Sequence, residues 1–410
     1  YVIEKGDKNQ SAMSQMNISF DNTVSIIWYE IPKTESAIDL FTRLNIGKIP
    51  LTSSELVKAL FLRSNNDTQA AVKNRQEEIS LQWDNMERDL HDSSLWAFLT
   101  NCSPEKYPTR IDLVFDLISR KQPGEKEDYF TFFYFDNKVK AGEDLYNIWV
   151  SIQLTFLLLK GWHENHECYH RIGYLIASGH KTLGDIYDAS QEVVKGTDVK
   201  RTKSEFQEYL CNEIKESIKL EDELNFADLS YESDSNREMI ERLLLLFNVE
   251  SVRTVDSGRQ WFPFDQHKHG YWSLEHIHAQ NSEGLNTKEK QERWLADHIP
   301  SLKGLKSKQA NLLVEKMEIL LQEYISNPNT KKTNAFVELQ KEATELLSEH
   351  GGIGYIHKVS NMALLDCGDN AALSNYFFGA KRDIVVGWDK MGKYIPFCTK
   401  MVFFKYWKIL

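Results

Sequence analysis

The chain has 410 residues, of which 41% are apolar and 12% are aromatic. A chain of this size and composition forms about two or three globular domains with large cores, which excludes a disordered or fibrous protein. Its 60 acidic and 49 basic side chains leave a net charge of -11, which argues against a protein that coats nucleic acid with basic groups. The charge is uneven, with -13 on residues 1–245, +2 on residues 246–410 and +5 on the last 30 residues alone.

Cysteine usage and hydropathy indicate the compartment. The five cysteines are widely spaced and include no Cys-x-x-Cys pair, so neither a disulfide framework nor a thiolate zinc cluster is indicated. The most apolar stretches, at 148–159 and 243–247, are shorter than the ~20 residues that span a bilayer. We therefore expect a cytoplasmic protein with no membrane segment. The chain begins without Met or a signal pattern, and we expect further residues upstream.

The first predicted elements are a strand over 24–31 and two helical segments that are separated by Gly47 and Pro50. Thr52 and Glu55 form the capping-box pattern, in which the hydroxyl and the carboxylate satisfy the first free amides of a helix. This pattern predicts that the second helix begins at residue 53.

A helical region is predicted to follow, because the apolar residues recur at intervals of three and four while Pro and Gly are rare. Its predicted helices lie within 72–99, 144–159, 206–218 and 236–247. The stretch 221–234 contains six acidic and no basic residues, which favours a solvated loop and a hinge before the last domain.

The last domain is predicted to combine short strands with helices. Aromatic runs at 261–264 and 271–274 are strand-like, 288–347 returns to helical periodicity, and 359–365 is a further strand signal. One helix is predicted over 370–381. The order is therefore strand, long helical insertion, strand and helix.

One group of polar residues in this domain could carry chemistry. Glu275 and His276 place a carboxylate beside an imidazole where a strand meets a loop, which suits acid-base work or metal binding. An isolated Glu-His pair is more often structural, but Asn361 precedes Met-Ala-Leu-Leu downstream. Asn370 and Lys381 then share one stripe of the predicted helix.

This order of motifs resembles the HNH, or ββα-metal, nuclease motif. Residues 272–280, 360–365 and 370–381 together look like the HNH domain of GmrSD-type restriction endonucleases. Upstream, Arg43, Asn45 and Gly47 lie in a segment that resembles the Arg-Leu-Asn-x-Gly segment of the ParB-like nucleotide-hydrolysing domain that is fused to that nuclease.

The resemblance implies an α+β, mostly helical chain with three parts. Residues 1–64 would be the C-terminal part of a ParB-like domain, 65–247 a helical domain, and 248–410 an HNH nuclease domain with a helical insertion. The implied activity is metal-dependent hydrolysis of phosphodiester bonds in foreign, often modified, phage DNA. The basic residues between Lys381 and Lys408 are then where we expect DNA to bind.

The resemblance also assigns roles. His276 would be the general base that activates water, and Glu275 with Asn370 would hold Mg²⁺ or Mn²⁺. Asn361 would fix the loop that carries the histidine, and Lys381 would contact the phosphate. Two further candidates are His278 and Asn375.

Two features depart from the family pattern. Ala279 replaces the Pro that commonly ends the His-Ile-x-Pro motif, which alters the loop but removes no reactive group. The Asp-Gly-Gln-Gln-Arg motif of the nucleotide-hydrolysing domain is absent, as is any Gly-rich phosphate loop. Nucleotide hydrolysis is therefore expected only with an upstream segment, to which Arg43, Asn45 and Gly47 would contribute.

Other interpretations of the same residues stay open. A zinc site on one helical face could use His163, His166 and His170, although their spacing favours helix packing. A structural zinc site on a strand could use two His-x-His pairs, formed by His267, His269, His276 and His278. Alternative functions are a non-catalytic DNA- or partner-binding module with an HNH-like fold, and a nucleotide-dependent regulator.

Overall fold

The computed structural model describes residues 51–63, 69–127, 129–193, 200–220, 225–255, 260–277, 287–304, 307–327, 333–347, 357–373, 376 and 378–404. Within these ranges the protein is mostly helical, with one two-stranded antiparallel sheet, as the sequence predicts. The strand predicted over 24–31 lies outside the described residues.

The helices before the sheet carry most residues of the main buried apolar cluster. They are α1 (Ser53–Phe61), α2 (Gln69–Leu90), α3 (Ser93–Leu99), α4 (Asp112–Ser119), α5 (Phe130–Lys140), α6 (Leu145–Glu164), α7 (His166–Ala177), α8 (Leu183–Gln191), α9 (Lys203–Ser217), α10 (Asp234–Thr254) and α11 (Phe264–His269). Short 3-10 turns lie at Pro104–Lys106 and Phe226–Asp228.

The remaining elements alternate as the sequence predicts. They are β1 (Ser273–His276), α12 (Lys288–Gly304), α13 (Lys308–Ser326), α14 (Thr333–Leu347), β2 (Met362–Leu365), α15 (Cys367–Leu373), α16 (Phe378–Lys390) and α17 (Phe397–Phe404). A 3-10 turn at Val359–Asn361 leads into β2. None of the helices in the described ranges combines the length and apolar composition needed to cross a bilayer.

Local capping fixes several helix starts. The predicted capping box is confirmed, because Thr52 Oγ1 accepts from the Glu55 amide at 3.2 Å and the Glu55 carboxylate accepts from the Thr52 amide at 2.8 Å. The helix predicted over 72–99 is instead two helices. Asp92 separates them, because its Oδ1 accepts from the Leu95 amide at 2.8 Å and so begins α3.

The helical region is organised around large buried rings. Trp149 of α6 is fully buried, stacks on Trp83 with ring centroids 6.0 Å apart, and contacts Phe61 at 5.5 Å. Its indole N–H donates to Gln82 Oε1 at 2.6 Å, which satisfies its polar atom. The helical faces predicted from apolar periodicity therefore meet in one packed core.

The three histidines between α6 and α7 are not on one helical face. α6 ends at Glu164, and Asn165 caps α7 by accepting from the Cys168 amide at 3.0 Å, so His163 belongs to a different helix from His170. The Nδ1–H of His170 donates to the His166 carbonyl at 2.8 Å, and its Nε2 accepts from the Phe262 amide at 3.2 Å. These bonds make His170 a structural residue that ties α7 to the segment before α11.

The buried imidazole of His170 predicts acid sensitivity. Burial lowers its pKa from 6.5 to about 4, so the unfolded chain binds a proton between these values that the folded protein does not. Stability is therefore complete above about pH 6.5 and falls on acidification by about 1.4 kcal/mol per pH unit for this residue. Urea unfolding at about pH 7 and about pH 5 should show a smaller acid-induced loss in His170→Asn than in the wild type. Equal losses in the two proteins would contradict this role, because other buried histidines would then account for the whole effect.

The helical region and the sheet share one core. α10 runs without interruption through the boundary predicted between 247 and 248. Asn248 of this helix is buried, and its Oδ1 accepts from the Cys398 amide of α17 at 2.9 Å. Leu274 of β1 and Met362 of β2 belong to the same apolar cluster as the helices. The sheet is therefore anchored directly on the helical region.

The described residues form two smaller cores as well. The insertion α12–α14 packs around its own buried residues, among them Trp294, Met317 and Phe336. A second cluster lies between β2 and the last helices and includes Leu365, Leu373, Val385, Ile395 and Phe403.

Three local predictions in the last domain are wrong. The run 261–264 is not a strand, because an irregular segment leads into α11 at Phe264. His267 and His269 consequently lie on a helix, where residues two apart face different directions, so this pair does not form the predicted strand-face zinc site. The helix predicted over 370–381 is two helices, since α15 ends at Leu373 and α16 begins at Phe378.

Candidate active site at the two-stranded sheet

The candidate site is built on the pairing of β1 with β2. Ser273 pairs with Leu365 and His276 with Met362 in an antiparallel register. Because successive side chains of a strand point to opposite faces, Ser273 and Glu275 lie on one face of β1, and Leu274 and His276 on the other. The packing agrees with this assignment. Leu274 belongs to the core of the helical region, whereas Leu365, which pairs with Ser273, belongs to the core of α15–α17.

Glu275 forms a buried ion pair with Lys381. Both side chains are almost inaccessible to solvent, and the Lys381 ammonium donates to Glu275 Oε1 and, at 2.6 Å, to the His276 carbonyl. Burial raises the pKa of Glu275 and lowers that of Lys381, while their mutual attraction opposes both shifts. The ammonium is thus engaged within the protein and is out of contact with solvent.

Asn370 ties the helix after β2 to β1. Its Nδ2 donates to Ser273 Oγ at 2.8 Å and to the Leu274 carbonyl at 3.0 Å. α15 is begun by Asp366, whose Oδ1 accepts from the Gly368 amide at 2.9 Å. Two paired strands and the helix that follows them therefore form a compact ββα unit, in which the Asn370 side chain joins the helix to β1.

Asn361 continues the pairing beyond β1. Its backbone carbonyl accepts from the Ile277 amide at 2.8 Å, which holds the residue after His276 against the start of β2. Its side chain is buried, with 1% of its surface exposed. The segment that carries His276 is therefore held by the main chain of Asn361.

His276 lies on the opposite face from Glu275. Its ring contacts Tyr231 edge-on, with centroids 5.0 Å apart, and His357 at 5.8 Å. Its Nε2 is buried and has no hydrogen-bond partner among the described residues. Burial is the main cause that lowers the pKa of His276 to about 4, so the imidazole is neutral at physiological pH.

The structure thus brings some predicted residues together and separates others. Glu275, Asn370 and Lys381 converge on one face of β1, whereas His276 is on the other. Predicted residues outside the described ranges are Arg43, Asn45, Gly47, His278 and Asn375.

Sequence reasoning missed three neighbours of the site. Ser273 could have been found, because it is two residues before Glu275 and a strand places both on one face. Tyr231 and His357 carried no sequence signal, because only tertiary packing brings them to His276.

The donor atoms on the Glu275 face suit a hard cation in kind. Glu275 has carboxylate oxygens and Asn370 has an amide oxygen, which are ligand types that Mg²⁺ and Mn²⁺ accept. The Glu275 carboxylate already accepts from the Lys381 ammonium and from the His276 amide. Within the described ranges, no group of three His, Cys, Asp or Glu residues is arranged to hold a metal ion. A cation at this site would therefore depend on water and phosphate oxygens for most of its ligands.

The basic residues of the last helices are largely engaged. Lys393 pairs with Asp369, and Lys400 pairs with Asp389. Lys381 is buried, and Arg382 donates to the Phe403 carbonyl at 3.1 Å. The positive charge counted from the sequence therefore includes ammonium groups that already have acidic partners.

Comparisons of the chain with protein-family models, with curated proteins and with solved structures find no match. The motif residues and the geometry around β1 are therefore what indicates a function.

Proposed function

We propose that this protein is a metal-dependent DNA endonuclease of the HNH type, which hydrolyses phosphodiester bonds in foreign, possibly modified, DNA. The observation that carries the proposal is the ββα unit, in which Asn370 is hydrogen-bonded to the strand that bears Glu275 and His276. This unit has the element order and the residue order of the HNH motif. As part of this proposal, the enzyme would act in the bacterial cytoplasm and defend the cell against phage DNA.

The chain's own residues suit the chemistry. His276 is neutral and its Nε2 has no hydrogen-bond partner among the described residues, so it could accept a proton from a water molecule that reaches it. Glu275 and Asn370 would hold Mg²⁺ or Mn²⁺, which when bound supplies positive charge against the scissile phosphate. Because His276 is the last residue of β1, a phosphate would approach at this end of the strand. Asn361 and Lys381 position this strand end through its main chain.

The decisive experiment is cleavage of plasmid DNA and of modified phage DNA with Mg²⁺ or Mn²⁺. We expect His276→Ala to lower the cleavage rate by about 10²–10⁴-fold, because general-base catalysis contributes on that scale. Asn370→Ala should also lower the rate and raise the metal concentration that is needed. His269→Ala, which removes an exposed histidine of α11, is the matched control and should cut normally. Equal rates for all four proteins would refute the nuclease proposal.

A second candidate is a non-catalytic DNA- or partner-binding module with an HNH-like fold. The buried Glu275–Lys381 ion pair favours it, because Lys381 already neutralises the Glu275 carboxylate. The carboxylate can then stabilise the fold without binding a metal. This alternative predicts DNA binding that does not change when divalent ions are removed, and no cleavage by any variant. A nucleotide-dependent regulator would instead require the upstream segment, since Arg43, Asn45 and Gly47 alone lack the rest of that motif.

A further inference from the structure

The segment 228–232, which joins the 3-10 turn at Phe226–Asp228 to α10, lies against the residues just before β2. The Tyr231 amide donates to the His357 carbonyl at 2.7 Å, and the Val359 amide donates to the Leu229 carbonyl at 3.1 Å. Between these bonds, Ser230 and Lys358 form an isolated antiparallel bridge. We call residues 228–232 the cover segment.

Side chains reinforce this short bridge. Leu229 is buried in the main core, and the Lys358 ammonium donates to the Asp228 carbonyl at 3.0 Å. His357 Nε2 lies 3.4 Å from Glu232 Oε1. Leu229 anchors one end of the segment in the core, whereas residues 230–232 are held by one backbone bond and by a solvent-accessible polar pair. Residues 230–232 can therefore open locally without loss of the whole fold.

The cover segment places Tyr231 directly on the proposed catalytic base. The Tyr231 ring meets the His276 ring edge-on, and Arg237 stacks on Tyr231 with its guanidinium 4.3 Å from the ring centroid. His276 Nε2 is buried, so neither water nor a phosphate reaches it in this arrangement. A general base must be within hydrogen-bond reach of the water it activates, directly or through one further water.

We propose that the cover segment is an autoinhibitory strap that shields His276 until it is released. The inference rests on the proposed nuclease function and adds its regulation. The other described neighbours of His276 on this face are Leu274 and Met362, which belong to the main core, and His357, whose carbonyl accepts from the Tyr231 amide. Among the described residues, Tyr231 and His357 therefore lie between the imidazole and the surface. Opening the bridge between Ser230 and Lys358 would remove Tyr231 and expose Nε2 without moving the ββα unit.

The first test measures accessibility and needs no nuclease activity. Diethylpyrocarbonate modifies accessible neutral imidazoles, and peptide mass spectrometry assigns the rate to each histidine of the full chain. Tyr231→Ala should raise the modification rate of His276 about tenfold or more over the wild type. Glu232→Gln, which weakens the contact to His357, should raise it less. Tyr146→Ala, at an exposed tyrosine of α6, should leave it unchanged.

The second test locks the strap. Ser230 and Lys358 occupy a non-hydrogen-bonded antiparallel pair, a position whose usual Cα separation of about 4.5 Å accommodates a disulfide. Oxidised Ser230→Cys/Lys358→Cys should show slower His276 modification and slower DNA cleavage than the wild type, and reductant should reverse both. The wild type under the same oxidant controls for its own thiols.

The outcomes separate the two proposals. Equal modification of His276 in the wild type, Tyr231→Ala and the locked protein would overturn the strap. A raised modification rate in Tyr231→Ala together with faster DNA cleavage supports it. Faster modification with no cleavage by any form would contradict the nuclease proposal and leave the shielding of His276 established.

Discussion

Replacing Lys381 with methionine should destabilise the protein by about 3–5 kcal/mol, because it leaves the Glu275 carboxylate buried without its partner. Lys381 is fully buried, and its ammonium also donates to the His276 carbonyl at 2.6 Å. The substitution therefore removes a charge and a main-chain contact at the end of β1. Urea unfolding of the wild type and of Lys381→Met measures the difference.

A double replacement separates charge from packing. Glu275→Gln/Lys381→Met removes both charges and should recover part of the stability that Lys381→Met loses. Lys138→Met is the matched control, because Lys138 pairs with Glu143 at 2.9 Å on the surface and should cost at most about 1 kcal/mol. A loss in Lys381→Met no larger than in this control would show that the buried pair does not stabilise the sheet.

Gly173→Ala should be the most damaging small substitution in the helical region. A Cβ at Gly173 of α7 would overlap the ring of Phe264, which is fully buried at the start of α11. The ring or the helix must shift, at a cost of about 1–3 kcal/mol. Because α11 leads directly into β1, the strain falls on the connection that places the candidate site.

Gly161→Ala provides the opposite expectation in the neighbouring helix. Gly161 lies in α6 with no atom within 4 Å of an added Cβ, so alanine should stabilise the helix by up to about 1 kcal/mol. The midpoint temperature of thermal unfolding should therefore rise for Gly161→Ala and fall for Gly173→Ala. A similar shift for both would show that the close approach of Phe264 does not limit residue 173.

The sequence predicts elements well where the signal is local. The Thr52–Glu55 capping box begins α1 as expected, because the two residues satisfy each other's amides without help from the rest of the chain. Predicted helices at 144–159 and 206–218 occur, since apolar periodicity is a property of the helix itself. The helix predicted over 72–99 was too long, because the Asp92 cap acts within one turn and interrupts an otherwise continuous apolar pattern.

Predictions that depended on tertiary contacts fared less well. The aromatic run at 261–264 looked like a strand, but Phe262 and Phe264 are buried against α7 and need no sheet partner. Tyr376 lies between α15 and α16, where a single helix was expected. In both places the backbone depends on contacts with distant segments, which apolar spacing along the chain does not specify.

The sequence by itself determined a mostly helical chain, a pair of short strands, and the residues that could carry chemistry at their ends. Tertiary structure decided how those residues are used. It paired Lys381 with Glu275, tied Asn370 to β1, and placed Tyr231 on His276. Helices and caps depend on residues a few positions apart, whereas these contacts join distant segments. Which of them form depends on how the cores pack, and this cannot be read from spacing along the chain.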